Sequence, residues 1–283
     1  MSIISKIKKL SRIANSFVSQ PKWSLAALRN LPEVVRGNVF AEQWRASTGE
    51  QGTASSDGEA GSDGPNPLRQ YFDNHKTGKG IWKWHHYFEI YHRHFAKFVG
   101  REVHIAEVGI FSGGSLDMWK EYFGPKCHVY GIDIEPACKA YEGDRVKVFI
   151  GDQADRSFWR KFREQVPVLD ILVDDGGHLV EQQIATFEEI LPHLRPGGVF
   201  LCEDVHTLNN PFMAYTAGYA DGLNTHEKVT TGIQRYINSV HLYPYATVVE
   251  KNARAPKEIT QARHGTEWQP FLYIAPEVPQ VGP

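Results

Sequence analysis

Residues 103–115, VHIAEVGIFSGGS, decide the fold class of this 283-residue chain. The short apolar run over 103–110 ends in glycine, as is typical of a buried β-strand. The glycines that follow allow a tight turn, and Ser115 is placed to cap a helix that runs to Tyr122. A strand, a glycine turn and a helix in this order indicate the first unit of an α/β sheet.

The same alternation continues along the chain. Residues 128–134, 146–150, 169–173 and 199–202 are further strand-like runs, and residues 155–165 and 179–194 have helical patterns. Arg195-Pro196-Gly197-Gly198 is a stop-and-turn signal before the run at 199–202. Strands that alternate with helices predict a doubly wound, parallel α/β sheet.

The pattern is weaker beyond residue 206. Residues 228–240 look helical and residues 246–251 strand-like. We expect residues 268–274 to form the last strand, on an antiparallel edge that closes the sheet. The residues that follow Asp204 have no strong pattern, so we expect a loop that covers the site predicted below.

Composition divides the chain into three parts. Residues 47–67 are rich in Gly, Ser and acid and have almost no large apolar side chain, so we expect a disordered linker there. It separates an N-terminal helical region, 1–46, from a folded domain, 68–283. Within residues 1–18 the apolar side chains share one helical face, with lysines beside and opposite it. Such a helix packs on its own domain or on a partner, or lies on a membrane surface; we favour packing.

Bulk properties argue against several classes of protein. A formal net charge of -2 gives no global basic field, so nucleic acid is not an indicated partner. Cys127, Cys138 and Cys202 fit neither a disulfide framework nor a CxxC metal site, which indicates reduced thiols and a cytoplasmic location. No apolar run approaches the roughly 18–20 residues that span a bilayer, and no signal-peptide core is visible at the N-terminus.

Acidic residues follow three successive strands, at the edge where ligands bind in open α/β sheets. Glu107 opens the glycine loop, Asp133 follows about 20 residues after that turn, where acids bind a ribose diol, and Asp152 is placed to contact an adenine. The loop lacks GxGxxG, and a carboxylate at its start suits a cationic ligand without phosphate better than a dinucleotide. Each acid alone would be a solvated strand end, but three in register favour a site.

Two further acidic pairs, Asp174-Asp175 and Glu203-Asp204, follow the fourth and fifth strands. If these strands are neighbours, their ends lie about 5 Å apart, and four crowded carboxylates require a cation or shared protons. Hard oxygen ligands suit Mg²⁺, and His178 can reach the same space. A metal lowers the pKa of an alcohol, and a nearby imidazole can take its proton. The alternative is a loop histidine beside exposed turn acids.

These motifs resemble a known family. The segment from about Tyr71 to His206 is similar to the metal-dependent sugar O-methyltransferases of macrolide and related natural-product pathways, the mycinamicin and macrocin type. The similar stretches are HKTGKGIWKWHHYFEIYHRHF, IAEVGIFSGGSLDMWKEYF, VYGIDIEP, GDQAD, DILVDDGGH and LRPGGVFLCEDVHT. The pairing of DDGGH with EDVHT is specific, whereas the glycine loop alone is not.

The resemblance implies a Rossmann-like methyltransferase fold that uses S-adenosylmethionine and Mg²⁺, a sugar hydroxyl as acceptor, and a homo-oligomer. It makes Asp175, Glu203 and Asp204 the metal ligands and His178 the general base. The cofactor contacts that it implies are Glu107, Gly109, Ser112, Gly113, Asp133, Asp152 and, in contact or in support, Asp174.

Other interpretations stay open. The acceptor could be a catechol or another vicinal diol, and the sheet alone would also suit a nicotinamide-dependent oxidoreductase or a catalytically silent scaffold. In the aromatic segment before the first strand, Trp82 and His85 are candidates to line the substrate pocket. His85, Glu89 and His92 share a helical face that could hold a second metal, though a packing role is favoured. His206 is a candidate to assist the base.

Overall fold

The computed structural model describes residues 3–48, 65–206, 210–224, 232–260, 262, 264 and 265. Contacts divide the chain into two units, residues 1–62 and 63–283. Most of the predicted linker at 47–67 and the whole predicted strand at 268–274 lie outside the described residues. Within the described ranges, no helix is long and apolar enough to cross a membrane.

The first unit holds two helices, α1 (Ile3–Ser19) and α2 (Pro21–Thr48). They lie where the sequence predicts an N-terminal helical region, and α2 extends slightly past the predicted bound at residue 46. The described apolar side chains Leu10, Ile13 and Val18 of α1 are exposed. A partner or membrane contact of residues 1–18 stays a prediction.

The second unit is built on a sheet whose described strands have the order β3-β2-β1-β4-β5-β7-β6. The strands are β1 (Val103–Val108), β2 (Cys127–Asp133), β3 (Val146–Ile150), β4 (Leu169–Asp174), β5 (Leu194–Cys202), β6 (Ile237–Tyr243) and β7 (Ala246–Lys251). β1 to β5 are parallel, and β7 is antiparallel to both of its neighbours, β5 and β6. The predicted doubly wound, mostly parallel sheet is therefore confirmed, with the antiparallel strand one place inside the edge that β6 forms.

Helices cover both faces of this sheet. They are α3 (Pro67–Asn74), α4 (Tyr87–Phe95), α5 (Gly114–Phe123), α6 (Arg156–Gln165), α7 (Val180–Ile190) and α8 (Pro211–Leu223). On one face Phe88 and Tyr91 of α4 pack with Trp119 of α5. On the other face Trp159 of α6 and Phe187 of α7 are fully buried. The parallel strands are thus buried on both sides, which is why their sequences are continuous apolar runs.

Local signals fix several helix starts. Asp155 caps α6, because its carboxylate accepts a hydrogen bond from the Ser157 amide at 2.7 Å. Asn66 caps α3 in the same way through Leu68 and Arg69, with proline at the first helical position.

The predictions for the cap of α5 and for the turn before the fifth strand are wrong, and one predicted helix is too long. Ser115 is not the cap of α5, because Gly113 takes the cap position in a left-handed conformation and frees the Ser115 hydroxyl for another partner. The turn predicted at residues 195–198 lies inside β5. The strand continues through these residues because its pairing with β4 shifts register between Leu169 and Ile171. The helix predicted over 179–194 ends at Ile190, just before the three-residue 3₁₀ turn that contains Pro192.

The helix predicted over residues 228–240 is also wrong where the structure describes it. Only Ile233–Arg235 forms a single 3₁₀ turn, and Ile237–Tyr243 is strand β6. Pairing with β7 overrides the local pattern, because a two-residue turn joins Tyr243 to its partner Ala246. The strand predicted over 246–251 is confirmed as β7.

Candidate active site

A cavity of about 770 Å³ lies at the carboxyl ends of the central strands. The chain runs from β1 to β2 on one side and returns to β4 on the other, so this is the switch point where ligands bind in doubly wound sheets. Most of the predicted site residues line this cavity: Glu107, Gly109, Ser112, Asp133, Asp152, Asp175, His178, Glu203 and Asp204. The remaining two, Gly113 and Asp174, lie behind its wall.

Glu107 is a buried carboxylate one residue before the end of β1. Its Oε2 accepts hydrogen bonds from the Ser115 hydroxyl at 2.6 Å and from Trp119 Nε1 at 3.1 Å. Its Oε1 has no hydrogen-bond partner in the described part of the chain and lies 3.3 Å from Lys83 Nζ. A buried carboxylate oxygen left short of donors at a cavity wall is suited to a ligand that carries N–H groups and positive charge.

Gly109 brings the loop after β1 against the loop after β4. Its φ is +81°, and a Cβ at this position would lie 2.0 Å from the carbonyl oxygen of Asp175. Only glycine combines that conformation with that approach. Gly113 has a similar conformation, with the Tyr141 ring where its Cβ would be, so it shapes the turn while Ser112 faces the cavity.

Asp133 and Asp152 follow β2 and β3 at the same cavity. The carboxylate of Asp133 accepts hydrogen bonds from the amides of Phe111 at 3.1 Å and Glu135 at 2.9 Å. Asp152 accepts one from the Ala154 amide at 2.8 Å. These bonds fix the two carboxylates and use part of their capacity of about four acceptor positions each.

Asp174 supports the loop instead of lining the cavity. Its Oδ1 accepts hydrogen bonds from Gln153 Nε2 at 3.0 Å and from the Gly176 amide at 3.3 Å. Gln153 also accepts a hydrogen bond from the Gly177 amide at 2.7 Å. Burial raises the pKa of Asp174 to about 6. This network sets the path of the chain between β4 and His178.

Asp175, His178 and Asp204 form one cluster, with one ligand atom from each lying within 4.8 Å of the others. His178 Nε2 is 3.5 Å from Asp204 Oδ2. Both His178 and Asp204 have a positive φ, +56° and +52°. Non-glycine residues in this region cost about 1–3 kcal/mol each and concentrate at functional sites.

The orientation of Asp204 is set from α4 and the segment before it. Its Oδ1 accepts hydrogen bonds from Trp84 Nε1 and from the Tyr87 hydroxyl, both at 3.0 Å. The Tyr87 hydroxyl also lies 3.0 Å from the carbonyl oxygen of Tyr245, in the turn between β6 and β7. Oδ2 therefore faces His178.

Glu203 is turned away from this cluster toward a buried lysine. Its two oxygens lie 3.0 and 3.1 Å from Lys83 Nζ, and its Oε1 also accepts a hydrogen bond from the Tyr91 hydroxyl at 2.6 Å. Lys83 Nζ donates to Asp175 Oδ2 as well, at 2.6 Å. Burial opposes the charge of Lys83, but Glu203 and the other acids around it hold the pKa of this lysine above its ordinary value.

Sequence reasoning missed Lys83, which compensates three of the predicted site acids. Lys83 comes before α4 and follows no strand, so no rule on strand ends points to it. The only sign of a buried lysine in the sequence is that Lys83 stands among the large apolar residues Ile81, Trp82 and Trp84.

The secondary candidates separate into two groups. His206 and Trp82 line the cavity, and Trp82 is 87% exposed. His85 instead contacts the Phe72 ring edge-on. The alternative of a second metal on His85, Glu89 and His92 gains no support: Glu89 accepts a hydrogen bond from Asn66, and the His92 ring bonds with the Tyr122 hydroxyl.

The strand order and the antiparallel β7 define the Rossmann-like fold of class I methyltransferases. Among solved structures the chain is similar to the MycE methyltransferase from the mycinamycin biosynthetic pathway, in complex with Mg, SAH and mycinamycin VI. The TM-score is 0.56 at 26% identity, over 68% of this chain and 55% of that one. The predicted fold class is confirmed.

Sequence comparison gives the same kind of relative. The chain is 31% identical over 207 residues to the 8-demethyl-8-alpha-L-rhamnosyl tetracenomycin-C 2'-O-methyltransferase of Streptomyces olivaceus, covering 64% of this chain and 54% of that protein. It is 31% identical over 184 residues to the demethylmacrocin O-methyltransferase of Streptomyces fradiae, covering 62% and 45%. The resemblance to sugar O-methyltransferases of natural-product pathways is therefore confirmed.

The chain spans about half the length of the curated relatives that it matches. No family model matches the chain.

Proposed function

We propose that this chain is an S-adenosylmethionine-dependent, Mg²⁺-assisted O-methyltransferase that acts on a hydroxyl of a sugar or a glycosylated small molecule. One observation carries the proposal. A single cavity holds both the donor-poor carboxylate of Glu107 and the cluster of Asp175, His178 and Asp204. The sugar O-methyltransferases among its relatives, and the Mg and SAH bound in the MycE structure, support this assignment.

The residues at the ends of β1 to β3 fit the cofactor. Oε1 of Glu107, which accepts no hydrogen bond and lies 3.3 Å from Lys83 Nζ, would bind the amino group of the methionine part, and Asp133 and Asp152 would bind the ribose and the adenine. Gly109 and Ser112 form the adjacent wall, with Gly113 and Asp174 in support. When bound, S-adenosylmethionine supplies an electrophilic methyl group on a sulfonium.

The residues at the ends of β4 and β5 fit a magnesium ion. Asp204 accepts its hydrogen bonds from Trp84 and Tyr87 through Oδ1, so its Oδ2 is left for an ion. Asp175 contacts Lys83 through Oδ2, so its Oδ1 is left for the same ion. Two carboxylates of this kind are a usual protein share of a Mg²⁺ site, which keeps several waters. Glu203, the third predicted ligand, has both oxygens on Lys83 in this structure and would have to turn from that lysine to reach the ion. A bound Mg²⁺ would lower the pKa of an acceptor hydroxyl.

Proton removal and substrate alignment are the tasks of the chain's own side chains. The imidazole of His178 is exposed at the cavity with Nε2 3.5 Å from Asp204 Oδ2, and it accepts the proton of the acceptor hydroxyl at its other ring nitrogen, Nδ1. Asp204 orients that imidazole and is itself fixed by Trp84 and Tyr87. The rigid strand ends hold the acceptor side of the cavity opposite the cofactor side, and such alignment supplies much of the acceleration in a bimolecular transfer.

Transfer of a labelled methyl group tests the proposal. The full chain is incubated with methyl-labelled S-adenosylmethionine and Mg²⁺ against a panel of free sugars, glycosylated macrolides and polyketides, and catechols. We expect label in a sugar methyl ether, none after chelation by EDTA, and labelling slower by roughly 10²–10⁴-fold with His178→Ala. Label in catechols alone would overturn the sugar assignment. Cofactor binding without transfer to any acceptor would overturn the enzyme assignment in favour of a scaffold.

A further inference from the structure

A second group of metal-ligand side chains lies where the end of α4 meets β6 and β7. His94 of α4, His241 of β6 and Glu250 of β7 each place one ligand atom within 4.8 Å of the other two. His94 is buried, and the other two are half-buried. None of the three lines the cavity described above. The group therefore needs its own explanation.

Each of these side chains also has a polar neighbour outside the group. His94 Nε2 lies 2.9 Å from the Tyr243 hydroxyl, and His241 Nε2 lies 2.9 Å from the Ser239 hydroxyl. Lys97 Nζ donates to Glu250 Oε2 at 3.2 Å. Metal-binding histidines are oriented in this way, with one ring nitrogen on a supporting partner and the other on the ion.

The inward atoms are already close together. His94 Nδ1 is 2.6 Å from Glu250 Oε1, and the rings of His94 and His241 meet edge-on with centroids 4.6 Å apart. In a tetrahedral zinc site, bonds of about 2.0–2.1 Å put neighbouring ligand atoms roughly 3.3 Å apart. To reach that spacing, ligand atoms that now lie within 4.8 Å of one another would have to move by at most roughly 1.5 Å.

We propose that His94, His241 and Glu250 form a binding site for a divalent transition-metal cation of the zinc type. Two imidazoles and one carboxylate are a ligand set that zinc uses in proteins, and the half-buried side of His241 leaves a position for water. The ion would join α4 to the β6–β7 hairpin. That helix carries Tyr87 and Tyr91, which donate hydrogen bonds to Asp204 and Glu203. The ion would therefore stabilise the position of these two tyrosines without being part of the candidate active site.

Zinc titration of the metal-free full chain tests this site. Binding is measured by competition with a chromophoric chelator, in excess Mg²⁺ and in an Asp175→Asn background, so that the candidate active site does not contribute. We expect one zinc equivalent in this background. His241→Ala and Glu250→Gln should each weaken binding by more than about 100-fold, the upper end of what losing a supporting residue costs.

His92→Ala is the matched control, because His92 lies on the same helix but binds Tyr122; it should keep the zinc affinity. Unchanged affinity in both His241→Ala and Glu250→Gln would overturn the site and leave a hydrogen-bonded network. If a variant fails to fold, Co²⁺ bound to the Asp175→Asn chain gives a second readout. Intense tetrahedral absorption bands with nitrogen ligation support the site, and a purely octahedral oxygen spectrum overturns it.

Discussion

Lys83 Nζ lies 2.6 Å from Asp175 Oδ2 in the interior of the second unit. The same ammonium lies 3.0 Å from Glu203 and 3.3 Å from Glu107. One lysine thus supplies the counter-charge both for the carboxylate of the cofactor side and for two predicted metal ligands. The two halves of the candidate site are therefore electrostatically coupled through a residue that belongs to neither.

Lys83→Met should destabilise the protein strongly. The substitution leaves buried carboxylates without their counter-charge, and breaking a buried ion pair in this way costs about 3–5 kcal/mol. The free energy of unfolding in urea measures the loss. Lys79→Met is the control, because Lys79 forms a partly exposed ion pair with Asp117 that contributes about 1 kcal/mol or less. We also expect Mg²⁺ to stabilise Lys83→Met more than the unaltered chain, because the ion would replace the missing counter-charge. Equal losses of stability for Lys83→Met and Lys79→Met would contradict the role of Lys83.

His178→Ala should lower the rate of methyl transfer by roughly 10²–10⁴-fold, the usual share of a general base. Cofactor affinity should stay within about twofold, because Glu107, Asp133 and Asp152 are untouched. Single-turnover rates and calorimetric titration with the cofactor measure the two effects. His206→Ala is the matched control, since His206 also lines the cavity but its ring neighbours Tyr245. Comparable rate losses in both variants would remove the assignment of His178 as the base.

Gly109→Ala should abolish cofactor binding and destabilise the sheet. The new Cβ would lie 2.0 Å from the Asp175 carbonyl oxygen. The alanine would also have to keep the positive φ of this position. Gly124→Ala separates these two effects, because Gly124 also has a positive φ but no atom within 4 Å of its Cβ position. With ψ at -168°, Gly124 lies in a region that is essentially restricted to glycine, so this variant should lose about 1–3 kcal/mol. Urea unfolding and cofactor titration of both variants check this, and equal behaviour would show that the close approach is unimportant.

Stability should fall at alkaline pH partly because of Cys127. Burial raises the pKa of this thiol from 9.0 to about 12. Its contribution to stability is therefore complete below pH 9 and is lost as the pH rises toward 12, since the unfolded thiol releases its proton first. Each pH unit in this window costs at most about 1.4 kcal/mol per proton. Urea unfolding on both sides of pH 9 should show a shallower decline for Cys127→Ala; identical slopes would contradict this.

The parallel part of the sheet could be predicted because both of its faces are buried, which makes each strand a continuous apolar run. The acids of the candidate site could be predicted for a related reason. The loops after parallel strands meet at one edge, so Glu107, Asp133 and Asp204 are brought together by topology alone.

The supports of those acids could not be predicted in the same way. Lys83 and Glu203 are 120 positions apart in the chain, and no periodicity relates the segment before α4 to a distant strand end. Strand β6 was equally hidden, because an edge strand with its mixed burial has neither a continuous nor an alternating apolar pattern. Its partner β7 decides its conformation.

The position of β7 between β5 and β6 has a consequence for synthesis of the chain. β5 is complete at Cys202, but the strand that pairs with its open edge ends only at Lys251. At roughly 5–20 residues per second, the ribosome adds the intervening segment in about 2–10 seconds. During that interval the apolar residues Val199–Cys202 form an unpaired strand edge, the kind of edge that joins neighbouring chains. Release of a nascent chain before β7 would therefore yield an aggregating product, and slow translation of this segment would favour chaperone capture.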